Sequence, residues 1–172
     1  ANFVERLKDI LHTCPEVSPT RLELEILESA ALEDMQYMRS MMQSCQALGV
    51  RFALDDFGTG YSSLSYLKRL PAETIKIDQS FVRGILEDCD DLTLVQAIVA
   101  LAAAFHRHVV AEGVETAEHA ARLLELGCER AQGYGIARPM PAHEVLGWAR
   151  DHAARHAARA VQDAAARRPA SA

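Results

Sequence analysis

Five short strand-like runs alternate with longer segments of helical periodicity in this sequence. The strand-like runs cover residues 21–27, 50–57, 74–78, 108–114 and 129–135. Apolar residues at helical spacing mark residues 31–48, 92–105 and 117–126, and a glycine follows the first and the last of these segments. Alternation of this kind is typical of βα units, so we predict an α/β fold with a parallel sheet.

Side-chain alternation divides each predicted strand into an apolar and a polar face, because successive strand residues point to opposite sides of a sheet. The apolar set consists of Leu22, Leu24, Ile26, Phe52, Leu54, Ile75, Ile77, Val109 and Ala111. The opposite set carries the charge: Glu23, Glu25, Arg51, Asp55, Lys76, Asp78, His108, Glu112 and Arg130, together with Gln132. An open doubly wound sheet needs two apolar faces, whereas a barrel interior can gather polar side chains. The pattern therefore favours a (β/α) barrel, with its chemistry at the carboxyl ends of the strands.

Composition and charge narrow the class of protein. With 172 residues, 49% of them hydrophobic and 24% charged, the chain fits one globular domain. Its longest apolar run, residues 97–105, is too short to cross a membrane, and we expect a cytoplasmic chain.

The four cysteines form no CxxC motif, so neither a zinc site nor a disulfide framework is indicated. A net charge of -6 argues against binding a DNA or RNA polymer, although metal ions can let an acidic pocket hold phosphates.

Four carboxylates are expected at one rim of this barrel: Glu25, Asp55, Asp56 and Glu112. Clustered carboxylates need cations to offset their charge, and hard oxygen ligands suit two Mg²⁺ or Mn²⁺ ions. Two such ions can activate water and stabilise a phosphoryl transition state. In the competing interpretation, the adjacent aspartates only end a strand and cap a turn. Lys76 and Glu112, at matching positions of neighbouring strands, favour the metal site.

The motifs "ELEILES", "DDFGTGYSSL", "IKID", "AEGVE" and "QGYGIARPM" resemble the EAL family in order and spacing. Members of this family are phosphodiesterases that cleave cyclic di-GMP. The resemblance covers about residues 1–150 and implies a partial modified TIM barrel with about five of eight strands. Residues 151–172 would form a helical and then disordered tail. The Glu-Ala-Leu segment and the strand with the metal-ligating Asn are absent, and Leu27 stands where threonine is usual.

The resemblance implies a role for each matching residue. The implied metal ligands are Glu25, Asp55 as the bridge between two ions, and Asp56 and Glu112 at the second ion. The implied catalytic residues are Lys76, Glu112 and Gln132, with Lys76 and Gln132 close to the attacking water. Glu28 would anchor the loop that follows Asp56. The implied reaction is in-line attack of activated water on one phosphodiester of cyclic di-GMP, which gives linear pGpG.

Five strands cannot close an eight-stranded barrel. We therefore expect this segment to belong to a longer chain, with upstream regulatory domains possible, or to pair with another copy. A homodimer is the expected assembly. Two alternatives stay open: a non-catalytic module that binds cyclic di-GMP or a protein partner, and an enolase-like lyase that holds Mg²⁺ on its carboxylates.

Overall fold

The structure is a computed structural model, and it describes residues 2–60 and 64–166. The chain divides into two compact units, Ala1–Ala137 and Arg138–Ala172. The first unit contains the sheet, and the second contains one long helix. The expected division after residue 150 stays a prediction. Residues 167–172 of the expected disordered tail lie outside the described residues.

Four parallel strands form one sheet in the described part of the chain. In spatial and sequence order they are β1 (Glu23–Leu27), β2 (Arg51–Phe57), β3 (Thr74–Ile77) and β4 (His108–Ala111). The expected fifth strand is reduced to an isolated parallel bridge between Ala131 and Ala111. A regular strand stops there because the backbone turns at Gly133, whose carbonyl accepts hydrogen bonds from the amides of Ile136 and Ala137, both at 3.0 Å.

Helices connect and cover these strands. They are α1 (Phe3–Thr13), α2 (Glu28–Glu33), α3 (Met35–Gln46), α4 (Leu64–Arg69), α5 (Gln79–Gly84), α6 (Cys89–Ala104), α7 (Ala117–Glu125) and, in the second unit, α8 (Ala142–Ala166). The helix expected over residues 31–48 is divided in two at Asp34. This residue leaves the helical conformation (φ -143°, ψ 82°), and its carboxylate caps α3 by accepting a hydrogen bond from the Tyr37 amide at 3.0 Å.

The apolar face of the sheet forms the core, as side-chain alternation predicted. Parallel pairing places Leu24 beside Phe52 and Ile75 beside Val109. Phe52, Leu54 and Ile75 are each at most 1% exposed. Full burial of a side chain of this size stabilises the fold by roughly 1.5–3 kcal/mol. This face therefore orients each strand so that the residues between the apolar ones point to the opposite side.

The helix of the second unit carries apolar side chains in contact with solvent. Leu146 is 71% exposed and Val145 is 42% exposed. Within the same helix, the rings of Trp148 and His152 stack with their centroids 4.7 Å apart. No helix in residues 2–60 and 64–166 is both long enough and apolar enough to cross a membrane.

Helix α6 ends in a left-handed turn at His106, which is exposed and has φ +54°. The amides of His106 and Arg107 donate to the last carbonyls of the helix. A residue with a Cβ pays about 1 kcal/mol in this conformation, and glycine avoids that cost. We therefore expect His106→Gly to raise the free energy of unfolding by about 0.5–1 kcal/mol, measured by urea denaturation. His106→Ala keeps the Cβ, and an equal gain in that control would contradict the explanation.

Candidate functional site

Lys76 lies at the centre of a group of carboxylates at the carboxyl end of the sheet. Its Nζ is 2.6 Å from Glu112 Oε1, 2.8 Å from Glu25 Oε1 and 3.0 Å from Asp55 Oδ1, and its side chain is 6% exposed. Burial alone lowers the pKa of a lysine. Here the hydrogen bonds to the carboxylates outweigh burial and raise the pKa of Lys76 above its usual value. Lys76 is therefore cationic at neutral pH.

Asp55, Asp56 and Glu112 bring carboxylate oxygens into one small region. One oxygen from each residue lies within 4.8 Å of the other two, and all three residues are partly buried. Asp55 Oδ1 is buried and accepts no well-oriented hydrogen bond, although Lys76 Nζ is close to it. Lys76 offsets only one of the negative charges around it, so the group keeps an excess of negative charge that a further cation would balance. The three residues therefore fit a hard divalent cation such as Mg²⁺ or Mn²⁺.

A local irregularity in β2 brings Asp56 into this group. Strict alternation would place Asp55 and Asp56 on opposite faces of the sheet. Asp56 instead has φ +52°, and the pairing of β2 with β3 shifts register between Leu54 and Phe57. A bulge of this kind changes the direction in which a side chain points. Both aspartates can therefore serve one site.

Asp78 is a site residue that the sequence analysis did not assign. Its Oδ1 accepts a hydrogen bond from the Ser80 amide at 2.9 Å, and its carboxyl group lies next to that of Asp56. Burial, followed by the charges of Asp55 and Asp78, raises the pKa of Asp56. Burial also opposes ionisation of Asp78, but hydrogen bonds from Ser80 outweigh it and lower the Asp78 pKa. The sequence signal for Asp78 was its inward-facing position two residues after Lys76.

Glu112 receives two donors on the same oxygen. Gln132 Nε2 donates to Glu112 Oε1 at 2.6 Å, and Lys76 Nζ approaches that oxygen at the same distance. Burial raises the pKa of Glu112, Lys76 opposes that shift, and the charges of Asp55 and Glu25 add to it. The three expected catalytic residues are therefore in mutual contact through one carboxylate oxygen.

Glu25 and Glu28 lie at the edge of the site, on and just after β1. The side chain of Glu25 is 51% exposed and touches the group through Lys76, because β1 is an edge strand of the described sheet. Glu28 is 1% exposed, and its Oε2 accepts a hydrogen bond from the Gly58 amide at 2.9 Å. Glu28 thus holds the backbone just after the two aspartates.

Comparison with known proteins identifies the family of this chain. Residues 1–139 match the model of the EAL domain. The bifunctional diguanylate cyclase/cyclic di-GMP phosphodiesterase MucR of Pseudomonas aeruginosa is 46% identical over 130 residues, which are 76% of this chain and 19% of that protein. A solved complex of PaMucR phosphodiesterase with c-di-GMP has a TM-score of 0.80 at 43% identity, over 84% of this chain and 58% of that chain.

A second relative was solved with a metal. The manganese and cyclic di-GMP complex of BlrP1 from Klebsiella pneumoniae at pH 9.0 has a TM-score of 0.73 at 32% identity, over 79% of this chain and 34% of that chain. The chain therefore spans less than two thirds of the length of each of these proteins. The structural matches confirm the predicted fold class, an α/β part of a TIM-barrel-like domain. Since the EAL model matches most of its length, the chain belongs to the EAL-domain family.

Proposed function

We propose that this chain carries metal-binding and catalytic residues of a cyclic di-GMP phosphodiesterase. The observation that supports the proposal best is the convergence of Asp55, Asp56 and Glu112 around a region beside Lys76. The relatives add support, since MucR is named for this activity and was solved with c-di-GMP. The proposed product is linear pGpG.

The proposed cofactor is a pair of Mg²⁺ or Mn²⁺ ions. Asp55 would bridge them, with Asp56 and Glu112 at the second ion and Glu25 at the first. When bound, such ions lower the pKa of water and stabilise charge on phosphate oxygens. The convergence of Asp55, Asp56 and Glu112 beside a single ammonium group supports this assignment, because Lys76 offsets only one of the negative charges.

The chain's own residues would prepare the reaction in three ways. Because Lys76 stays protonated, it acts as a fixed cation and hydrogen-bond donor rather than as a base. Gln132 holds Glu112 by donating to Oε1, which fixes the direction of the carboxylate. The bend at Asp56 sets its carboxylate against that of Asp78. The homodimer expected from the family stays a prediction.

The test is chromatography of cyclic di-GMP incubated with the chain and Mg²⁺ or Mn²⁺. Asp55→Asn should reduce the rate of pGpG formation more than about 100-fold, since even residues that only support metal ligands cost up to that factor. Asp151→Asn, at an exposed position of α8, is the matched control and should keep the wild-type rate. Binding of cyclic di-GMP without product would instead support the non-catalytic module.

A further inference from the structure

The segment that joins α4 to β3 is buried and must satisfy its backbone carbonyls inside the protein. We call residues 67–73 the α4–β3 connection. Leu67 and Leu70 are each 1% exposed, and Ala72 is 5% exposed. Burial of these side chains takes the neighbouring carbonyls away from water, and buried carbonyls need donors. The last carbonyls of a helix such as α4 also lack partners within the helix.

One arginine supplies most of these donors. Arg107 Nη2 donates to the carbonyl of Leu70 at 2.8 Å and also to that of Leu67, while Nη1 donates to that of Ala72. The carbonyl of Pro71 accepts a hydrogen bond from Gln46 Nε2 at 2.8 Å. Two side chains from distant parts of the sequence thus hold four carbonyls of the α4–β3 connection.

The backbone around Arg107 explains how its side chain reaches this position. His106 takes the left-handed conformation, and the Arg107 amide then donates back to the Ala102 carbonyl at 2.9 Å. The next residue already pairs with the sheet, because the His108 amide donates to the Glu73 carbonyl at 2.9 Å. Arg107 is therefore fixed between a helix end and a strand, directly beside the α4–β3 connection. A guanidinium group suits this task, since it offers five donors in a rigid plane.

The segment that Arg107 holds leads back along the chain to the two aspartates of the site. Glu28 holds the backbone at Gly58, just after the two aspartates, and Arg107 holds the α4–β3 connection further along the chain. We propose that Arg107 is a positioning residue for the Asp55–Asp56 loop, defined as residues 55–60. It acts through the α4–β3 connection and does not touch the carboxylates. Its consequence for metal binding rests on the proposed function.

Two variants and a control test this role. Arg107→Met removes all donors, and Arg107→Lys keeps the charge with a smaller donor set. Arg122→Met is the control, because Arg122 pairs with Glu125 on its own helix α7 at 2.7 Å. The first measurement is hydrogen exchange by NMR at the Gly58 amide, with the Arg51 amide, which donates to the Leu22 carbonyl, as the reference for global opening. The second measurement is Mn²⁺ affinity by titration.

We expect Arg107→Met to accelerate exchange at Gly58 about tenfold, equivalent to about 1.4 kcal/mol, and to weaken Mn²⁺ binding by a similar factor. Arg107→Lys should fall between wild type and Arg107→Met, and Arg122→Met should match wild type. If Arg107→Met does not fold, the same two measurements on Arg107→Lys test the proposal.

Several outcomes would overturn the proposal. Equal acceleration at Gly58 and Arg51 would mean that Arg107 only stabilises the whole fold. Unchanged Mn²⁺ affinity in a folded Arg107→Met would mean that the aspartates keep their positions without it. If wild type binds no Mn²⁺, the metal site of the proposed function fails instead, and the ratio of Gly58 to Arg51 exchange alone decides the role of Arg107.

Discussion

Lys76→Met should destabilise the metal-free protein by about 3 kcal/mol, the lower end of the range for breaking a buried ion pair. The variant leaves Glu25, Asp55 and Glu112 facing one another without the cation that now lies 2.6 to 3.0 Å from each. Methionine preserves the length of the apolar stem, so the loss is mainly electrostatic. We choose the lower end because Glu25 is 51% exposed and water screens it.

The same variant should respond more strongly than wild type to divalent cations. Once Lys76 is gone, a bound Mn²⁺ ion is the main source of positive charge near Asp55 and Glu112. At a concentration of 100 times its dissociation constant, a ligand of the folded state raises the free energy of unfolding by about 2.7 kcal/mol. The variant should bind Mn²⁺ more tightly than wild type, so its free energy of unfolding rises more at a given Mn²⁺ concentration. Added Mn²⁺ should therefore reduce the difference in stability between the variant and wild type.

Urea denaturation with excess chelator and with Mn²⁺ measures both effects. Lys8→Met is the control, since Lys8 is exposed on α1 and is remote from these carboxylates in the sequence. Its stability should match wild type under both conditions. A Lys76→Met protein as stable as wild type without metal would mean that the carboxylates do not need this cation.

Much of the site was predictable because strand geometry is regular. Because side chains alternate along a strand, Glu25, Asp55 and Lys76 can be assigned to one face of the sheet without any knowledge of contacts. Parallel strands then bring their carboxyl ends to one edge of the sheet. The structure has Lys76 in contact with Glu25, Asp55 and Glu112, as those two rules require.

The parts that could not be predicted depend on departures from regular geometry or on contacts between distant residues. Asp56 reaches the site through a left-handed backbone conformation, which no alternation rule contains. Asp78 contacts Asp56 only because that bend exists. Arg107 holds carbonyls 35 to 40 residues away in the sequence, and a lone arginine after a helix gives no sign of its partners.

The expected fifth strand is present only as an isolated bridge, for a related reason. Its sequence alternates correctly, yet regular pairing ends where Gly133 turns the chain. The turn itself is tightly packed against the segment after β4. The Val114 amide donates to the Gln132 carbonyl at 3.0 Å, and the Gly135 amide donates to the Val114 carbonyl at 2.9 Å. Gln132 thus depends on a backbone contact that only a small residue at position 133 permits.

Gly133→Ala should therefore be strongly destabilising. A Cβ at this position would lie 2.3 Å from both the nitrogen and the oxygen of Val114, and these are backbone atoms that cannot move aside alone. Separation of the two segments would break both hydrogen bonds of Val114 and would move Gln132 away from Glu112. Overpacking costs about 1–3 kcal/mol and each lost hydrogen bond about 1 kcal/mol. We expect a total loss of about 3–5 kcal/mol, a range reached only by disruptive substitutions.

The chain offers a matched control for the same chemical change. A Cβ at Gly147 in α8 would meet no atom within 4 Å, so Gly147→Ala should be neutral or should stabilise the helix by up to about 1 kcal/mol. Urea denaturation of both variants, followed by far-ultraviolet circular dichroism, separates the two expectations. A Gly133→Ala protein with wild-type stability would mean that the segment after Ala131 can leave Val114 at little cost. Gln132 would then be a mobile partner of Glu112 rather than a fixed one.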